Sequence, residues 1–347
     1  MKIAGFDIGG ANTKVAIIDF DNGKIENIEI DLSYLPMWSD NDTLQKVLTE
    51  LIEKICPIDE LDGVGISMTA ELVDAYETKK EGVLDIANKV NDLFDLPLGF
   101  VTLDGVVDIN GIIENPLNAA AANWIATAPI AAKISDNCIF VDTGSTTTDI
   151  IPVKNGKECA KGRSDMERLG TGELVYTGTL RTNLCSFLYK VPLSKNGRTV
   201  EYRVGSELFA ETADVYRILD LISEDDYVCG TYDGEGKSKI ECARRVARVL
   251  CADLDILDEE DIKQLCETIH KTQIKQIAEA IDEVSKRENI NTIVTTGLGK
   301  DILDKPAAES LGLNVKSMNE FLTDEECVVA PAVGTAILME EYLRNNS

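Results

Sequence analysis

Two copies of a short glycine-bearing pattern constrain this chain more than any other feature. Asp7-Ile-Gly-Gly-Ala-Asn-Thr-Lys14 aligns with Asp142-Thr-Gly-Ser-Thr-Thr-Thr-Asp149, at an offset of 142 − 7 = 135 residues. Asp, Gly and Thr recur at three of the eight positions. Apolar runs at 2–8 and 13–20 flank the first copy, and runs at 137–142 and 147–153 flank the second. Each copy therefore reads as a β-hairpin closed by a glycine-rich turn. Because both copies open a strand-rich stretch, the pattern reads as an internal duplication.

The remaining signals fit that duplication. Asp21-Asn22-Gly23 turns into a third strand at 24–32, and 43–55 has helical periodicity. A buried strand at 64–68, a helix at 82–94, a strand at 99–103 and an alanine-rich helix at 115–133 complete a β-β-β-α-β-α-β-α half. After the second hairpin come helices at 238–250 and 259–287. A strand at 292–296, a helix at 299–311, a strand at 313–316 and a helix at 327–344 then repeat the β-α-β-α ending. The predicted fold is α/β, with two duplicated domains (1–134 and 135–347) around a central cleft and a mostly helical insertion at about 164–288.

Composition removes whole classes of function. Asp+Glu number 61 against 34 Lys+Arg, a net charge of −27, and no basic run exceeds Arg244-Arg245. Nucleic-acid binding needs clustered cations, so none is expected. Any anionic substrate must be gripped locally, by backbone amides, a few cations or a divalent metal. The nine cysteines include no C-x-x-C pair, which fits reduced thiols rather than a disulfide framework or a zinc site. His270 is the only histidine, which excludes histidine-based triads, and its charged helical surroundings predict a surface role. Asp7 interrupts any leader-like N-terminus, and the longest apolar run, 328–339, is too short to span a bilayer. A soluble cytoplasmic protein is expected.

A hairpin tip of this type suits phosphate. Glycines permit positive φ, so that successive N–H groups converge on phosphate oxygens. The phosphate candidates are Gly9, Gly10, Asn12, Thr13 and Lys14 in the first loop and Gly144, Ser145, Thr146 and Thr147 in the second. Asp7 and Asp142, each ending a strand, are the candidate Mg²⁺ ligands. Asp149 occupies the repeat position of Lys14 and is a candidate for orienting water or metal.

These loops resemble the two phosphate loops of the actin-like ATPase superfamily of acetate and sugar kinases, heat-shock chaperones and actin, in the style of its hydantoinase/oxoprolinase branch. The resemblance implies two ribonuclease-H-like domains over nearly the whole chain. It also implies a glycine motif for adenosine in the last third, where Thr295-Thr-Gly-Leu-Gly-Lys-Asp301 stands without the usual paired glycines. Gly297 is the phosphate-side candidate there, and ATP is not required in the leading reading. Ser67-Met-Thr-Ala-Glu-Leu-Val-Asp74, Ala121-Ala-Asn-Trp124, the 142–149 hairpin and Tyr176-Thr-Gly-Thr-Leu-Arg-Thr182 further resemble an archaeal and methylotroph family of tetrahydromethanopterin and methanofuran metabolism. That resemblance spans residues 7 to 301.

For the methanogen members, the resemblance implies a transferase that joins an aminomethylfuran-methyl diphosphate to the phenol oxygen of γ-glutamyltyramine, releasing diphosphate. Such chemistry needs charge stabilisation on the departing diphosphate and a base for the phenol. Without a placed histidine the base is a carboxylate. Glu71 is the candidate, with Asp74 and Asp104 as competitors. Arg181 is a candidate for the glutamyl carboxylate, and an internal ion pair is its alternative. Tyr176 and Trp124 are candidate substrate contacts, although Trp124 also reads as core. The rival functions are an ATP-dependent kinase or ring hydrolase of the same superfamily, and a non-catalytic nucleotide sensor. The helices of 238–287 allow a homodimer.

Overall fold

The computed structural model describes residues 1–195 and 197–346. Its strands form two sheets with one plan. The first comprises β1 (Lys2–Ile8), β2 (Asn12–Asp21), β3 (Lys24–Tyr34), β4 (Gly63–Met68), β5 (Leu98–Thr102) and β6 (Gly105–Val107), in the order β3-β2-β1-β4-β5-β6. β1 runs antiparallel to β2 and parallel to β4, which is parallel to β5. The second sheet contains β7 (Cys138–Thr143), β8 (Thr148–Lys154), β9 (Lys157–Glu158), β10 (Leu174–Val175), β13 (Thr292–Thr296) and β14 (Asn314–Ser317). Its order is β10-β8-β7-β13-β14, with β9 on β8 and both β7–β13 and β13–β14 parallel. The order 3-2-1-4-5 is thus repeated strand for strand, as the duplicated hairpins predict.

Two compact units result. One comprises Met1–Cys138, Val153–Arg168 and Met318–Ser347; the other comprises Ile139–Pro152 and Leu169–Ser317. The C-terminal helix Ala330–Asn346 therefore groups with the first half of the chain rather than with 135–347. Its ten buried residues lie against β1, β4 and the helix Asn123–Ile134. Small residues make this approach possible: a Cβ on Gly5 would lie 2.2 Å from the Ala332 carbonyl oxygen, and one on Gly334 only 1.9 Å from that of Ala126. On the opposite face Phe6, Ile8, Val64 and Ile66 pack with Leu48, Leu51, Val83 and Ile86 of the helices Leu44–Glu53 and Lys79–Leu93. Gly334→Ala should destabilise the protein by ~1–3 kcal/mol through overpacking. Denaturant unfolding would check this, and an unchanged midpoint would refute the packing role.

The insertion differs from expectation. Helices Lys239–Arg248 and Glu259–Glu288 are present, but 171–238 is largely irregular and carries a separate hairpin, β11 (Lys190–Lys195) with β12 (Arg198–Arg203). Its short polar stretches leave little periodic apolar sequence, and the helix there, Thr212–Ile218, has seven residues. The alanine-rich segment is not one helix either. A 3₁₀ turn at Pro116–Ala119 is separated from the helix Asn123–Ile134 by Ala121, whose φ of 50° is left-handed. No helix among the described residues is long and apolar enough to cross a membrane.

Candidate active site

The first hairpin closes through the Gly9 N–H, which donates to the Asn12 carbonyl at 3.0 Å. The carbonyls of Gly10 and Ala11 accept from Met37 N–H and Leu35 N–H at 2.9 and 3.0 Å. The N–H groups of Gly10 and Ala11 have no acceptor among the described residues. The second hairpin does the same. Gly144 N–H donates to Thr147 O at 2.9 Å, Gly144 O accepts from Thr179 N–H, and Ser145 O accepts from both Leu180 and Arg181 N–H groups. The amides of Ser145 and Thr146 are left without an acceptor among the described residues. Each tip thus has its acceptors satisfied internally and two successive donors available, the arrangement that suits an anion.

The glycines achieve this differently from expectation. Gly9, Gly10 and Gly144 are not in the left-handed region. Gly9 is needed for close approach, since a Cβ there would lie 2.8 Å from the Asn12 carbonyl oxygen. Gly297 does have positive φ, at 82°, and a Cβ on it would meet Asp142 Oδ1 at 2.2 Å.

Asp7 and Lys14 face each other across β1 and β2, with Lys14 Nζ 3.4 Å from the buried Asp7 carboxylate. Thr13 points inward, its hydroxyl fully buried and without a hydrogen-bond partner among the described residues; flanked by Ile8 and Ser33 in the sheet, it is a core residue of β2 rather than a phosphate contact. Asn12 is half-buried beside them.

Glu71 follows β4, where the 69–73 segment lies on the tip: a Cβ on Gly10 would lie 3.2 Å from Val73, and Thr69 N–H donates to Ile8 O at 2.9 Å. The Glu71 side chain is 1% exposed and its Oε2 meets no hydrogen-bond donor in bonding geometry among the described residues. Burial raises its pKa to about 7, while its own amide, Lys79 and the amide of left-handed Ala121 favour the charged form. Lys79 Nζ lies 3.8 Å from Glu71 Oε1 and 2.7 Å from Asp165 Oδ2. Asp165 in turn lies 3.9 Å from the buried Arg168 guanidinium. A carboxyl that titrates near neutrality is suited to accept a proton.

Residues 62–342 match the hydantoinase/oxoprolinase family. This chain belongs to that family. It is 40% identical over 99% of its own length and 99% of the relative's to a Methanocaldococcus jannaschii protein named (4-{4-[2-(gamma-L-glutamylamino)ethyl]phenoxymethyl}furan-2-yl)methanamine synthase. A Methanococcus vannielii protein of the same name is 38% identical over 62% of this chain and 96% of its own. Among solved structures, a ROK family glucokinase from Streptomyces griseus aligns at a TM-score of 0.52 with 13% identity, covering 98% of this chain and 100% of its own. The Acidaminococcus fermentans (R)-2-hydroxyglutaryl-CoA dehydratase component A aligns at 0.50 with 12% identity and covers 99% of each chain. These likenesses show the actin-like fold.

The other expected site residues of this hydantoinase/oxoprolinase family member are placed unevenly. Trp124 is 2% exposed and the Arg168 guanidinium lies 4.8 Å from its ring centroid, so it is a packed core residue rather than a wall for substrate. Asp74 is exposed, and exposed Asp104 accepts from Arg163 and Asn118, each at 2.9 Å; neither is poised as Glu71 is. Tyr176 is exposed. Arg181 is exposed; burial and Asp214 raise the Glu211 pKa, and the Arg181 charge opposes that rise. Asp142 is half-buried at the end of β7, and half-buried Asp149 lies opposite Leu174.

His270 is not a surface residue. Its Nε2 lies 2.7 Å from the Ile302 carbonyl oxygen, so it carries the ring proton, and the ring meets Tyr216 edge-on. Burial lowers its pKa.

The sequence reading missed Asp304. It is fully buried, accepts from Thr143 N–H at 3.3 Å, and is hydrogen-bonded through Oδ1 to the Thr143 hydroxyl.

Proposed function

We propose that this protein is a transferase that forms the aryl ether of a furan-methanamine, joining an aminomethylfuran-methyl diphosphate to the phenol oxygen of γ-glutamyltyramine. What supports the grip on diphosphate is the pair of successive available amides at the first hairpin tip, which lies in one unit with Lys14 and Glu71. The choice of substrates is supported by the full-length identity to the archaeal synthase. The furfuryl C–O bond breaks with its electron pair leaving on diphosphate, and the phenol oxygen bonds to that carbon. The furan ring stabilises charge developing on the carbon, while amides and Lys14 stabilise charge developing on the diphosphate. The phenol, whose ordinary pKa is ~10, gives its proton to Glu71.

Mg²⁺ suits the same tip. Asp7, buried near the end of β1, would offer one carboxylate whose Oδ1 accepts no hydrogen bond in bonding geometry among the described residues, and Mg²⁺ is commonly held by one or two carboxylates plus phosphate oxygens and water. No group of three or more carboxylate, thiol or imidazole ligands occurs among the described residues, so substrate would complete such a site. Bound there, the ion neutralises diphosphate charge. At the second hairpin Asp142 is the equivalent donor.

The test is incubation with Mg²⁺, γ-glutamyltyramine and the furan diphosphate, with and without ATP, followed by mass spectrometry. Ether and diphosphate formed without ATP support the proposal. Turnover only with ATP would overturn it in favour of kinase-like chemistry. Lys14→Met should weaken inorganic diphosphate binding about tenfold or more, as loss of a charge-assisted contact does. Calorimetric titration reads this directly, and unchanged affinity would remove Lys14 from the site.

A further inference from the structure

Four oxygens in the second unit form an unbranched buried chain. Thr148 Oγ1 lies 2.8 Å from the Thr177 carbonyl oxygen and 2.9 Å from Thr143 Oγ1, which is hydrogen-bonded to Asp304 Oδ1. Thr143, Thr148 and Asp304 are all buried, so water supplies no alternative partner. The chain has three contacts and therefore needs three protons. A carbonyl only accepts, so Thr148 must give its single hydroxyl proton to Thr177. Thr143 must then give its proton to Thr148. The third contact has no proton left unless Asp304 brings one. An ionised Asp304 would leave two buried oxygens in contact without a hydrogen between them.

From this count we propose that Asp304 is held as a neutral carboxylic acid, whose O–H donates to Thr143 Oγ1 and positions the end of β7 beside Asp142. Its Oδ2 meanwhile accepts the Thr143 N–H, so both strand groups of Thr143 are fixed by one carboxyl. Burial and the neighbouring charges of Asp142 and Asp301 act in the same direction, raising the Asp304 pKa well above the carboxylate range. Gly144, the first residue of the second tip, follows Thr143 directly. Thr143 O also accepts the Gly299 N–H at 2.8 Å. Asp304 is thus a positioning residue for the second hairpin. Its neutrality leaves the negative charge at this strand end on Asp142.

The inference stands on geometry, and only its kinetic arm rests on the proposed transferase reaction. Infrared difference spectra of the full-length protein at pH 7, with and without ¹³C-aspartate labelling, should contain one protonated aspartate carbonyl band. Asp304→Asn should abolish that band, yet keep thermal stability and the KM for the furan diphosphate within about twofold, because its amide donates where the acid did. Asp304→Leu keeps the volume but not the hydrogen bonds, and should lower the melting temperature and raise that KM. No aspartic-acid band in the unsubstituted protein would overturn the proposal whether or not any variant folds. So would an asparagine variant as damaged as the leucine one. If the unsubstituted protein shows the band but no transferase activity, the reaction assignment fails and the Asp304 assignment holds.

Discussion

Replacing Glu71 by glutamine is expected to cut turnover by about 10²–10⁴-fold while making the protein harder to unfold in alkaline solution. Both effects arise from one buried carboxyl. Its pKa is raised from 4.5 to about 7, chiefly by burial. Below about pH 4.5 the group is neutral in both folded and unfolded chains, so a glutamine at this position has no energetic advantage over the acid. As pH rises through about 7 the folded protein loses the advantage of binding that proton more tightly than the unfolded chain. Above it, the unsubstituted protein carries a buried carboxylate at a cost of roughly 3 kcal/mol, given ~1.4 kcal/mol per pH unit between 4.5 and about 7. Glutamine never ionises and avoids that cost. E71Q and the unsubstituted protein should therefore match in stability near pH 4 and diverge to a plateau by about pH 8. The rate of the unsubstituted enzyme should rise through the same interval as the base becomes available. Denaturant unfolding at several pH values, paired with a pH–rate profile, checks both limbs. An E71Q protein that turns over normally would remove Glu71 as the base, and one less stable at pH 8 would contradict its buried, raised state.

That carboxyl also marks where sequence stops informing. Glu71 is buried while its neighbour Leu72 is 65% exposed, the reverse of what polarity suggests. Only the turn after β4 and the left-handed break at Ala121 decide that exchange, and neither has a local signature. The hairpins were legible because Asp, Gly and Thr repeat in register, and β13 was legible as a short apolar β-branched run. The C-terminal helix was visible as a helix, yet its nearly all-round burial gave no sign of which sheet it would cover. Asp304 was hidden for a related reason: within 299–311 it reads as one polar position of an amphipathic helix. The chain instead forms a π-helical turn over Lys300–Asp304 that turns the carboxyl inward. Arg168 and Arg245, both fully buried, were equally silent, since a long cation in a polar helix ordinarily reads as surface.

Arg245→Met should be the most destabilising single change in the second unit, by ~3–5 kcal/mol, because it leaves a buried carboxylate without its cation. Arg245 Nε donates to Asp214 Oδ1 at 2.9 Å, Nη1 to Asp233 Oδ1 at 2.9 Å and Nη2 to Gly236 O at 3.0 Å. Asp214 is 1% exposed; Tyr227 OH and the Glu211 N–H also donate to it. The consequence reaches the second hairpin through a short chain of contacts. Asp214 caps the helix Thr212–Ile218. Thr212 Oγ1 donates to Gly178 O at 3.0 Å and accepts the Thr182 N–H. Gly178 packs so closely on the tip that a Cβ there would lie 2.5 Å from Thr146 N, and the next three amides hold the carbonyls of Gly144 and Ser145. Loosening the Asp214 cap should therefore speed hydrogen exchange at the Thr179, Leu180 and Arg181 amides beyond the change at β1, which belongs to the other unit. Replacing both partners, as Asp214→Leu with Arg245→Met, removes the stranded charge and should recover much of the lost stability, giving a coupling energy of about 0.5 kcal/mol or more. Additive losses would mean that the two side chains act separately, and uniform exchange would mean that the hairpin's support does not run through this pair.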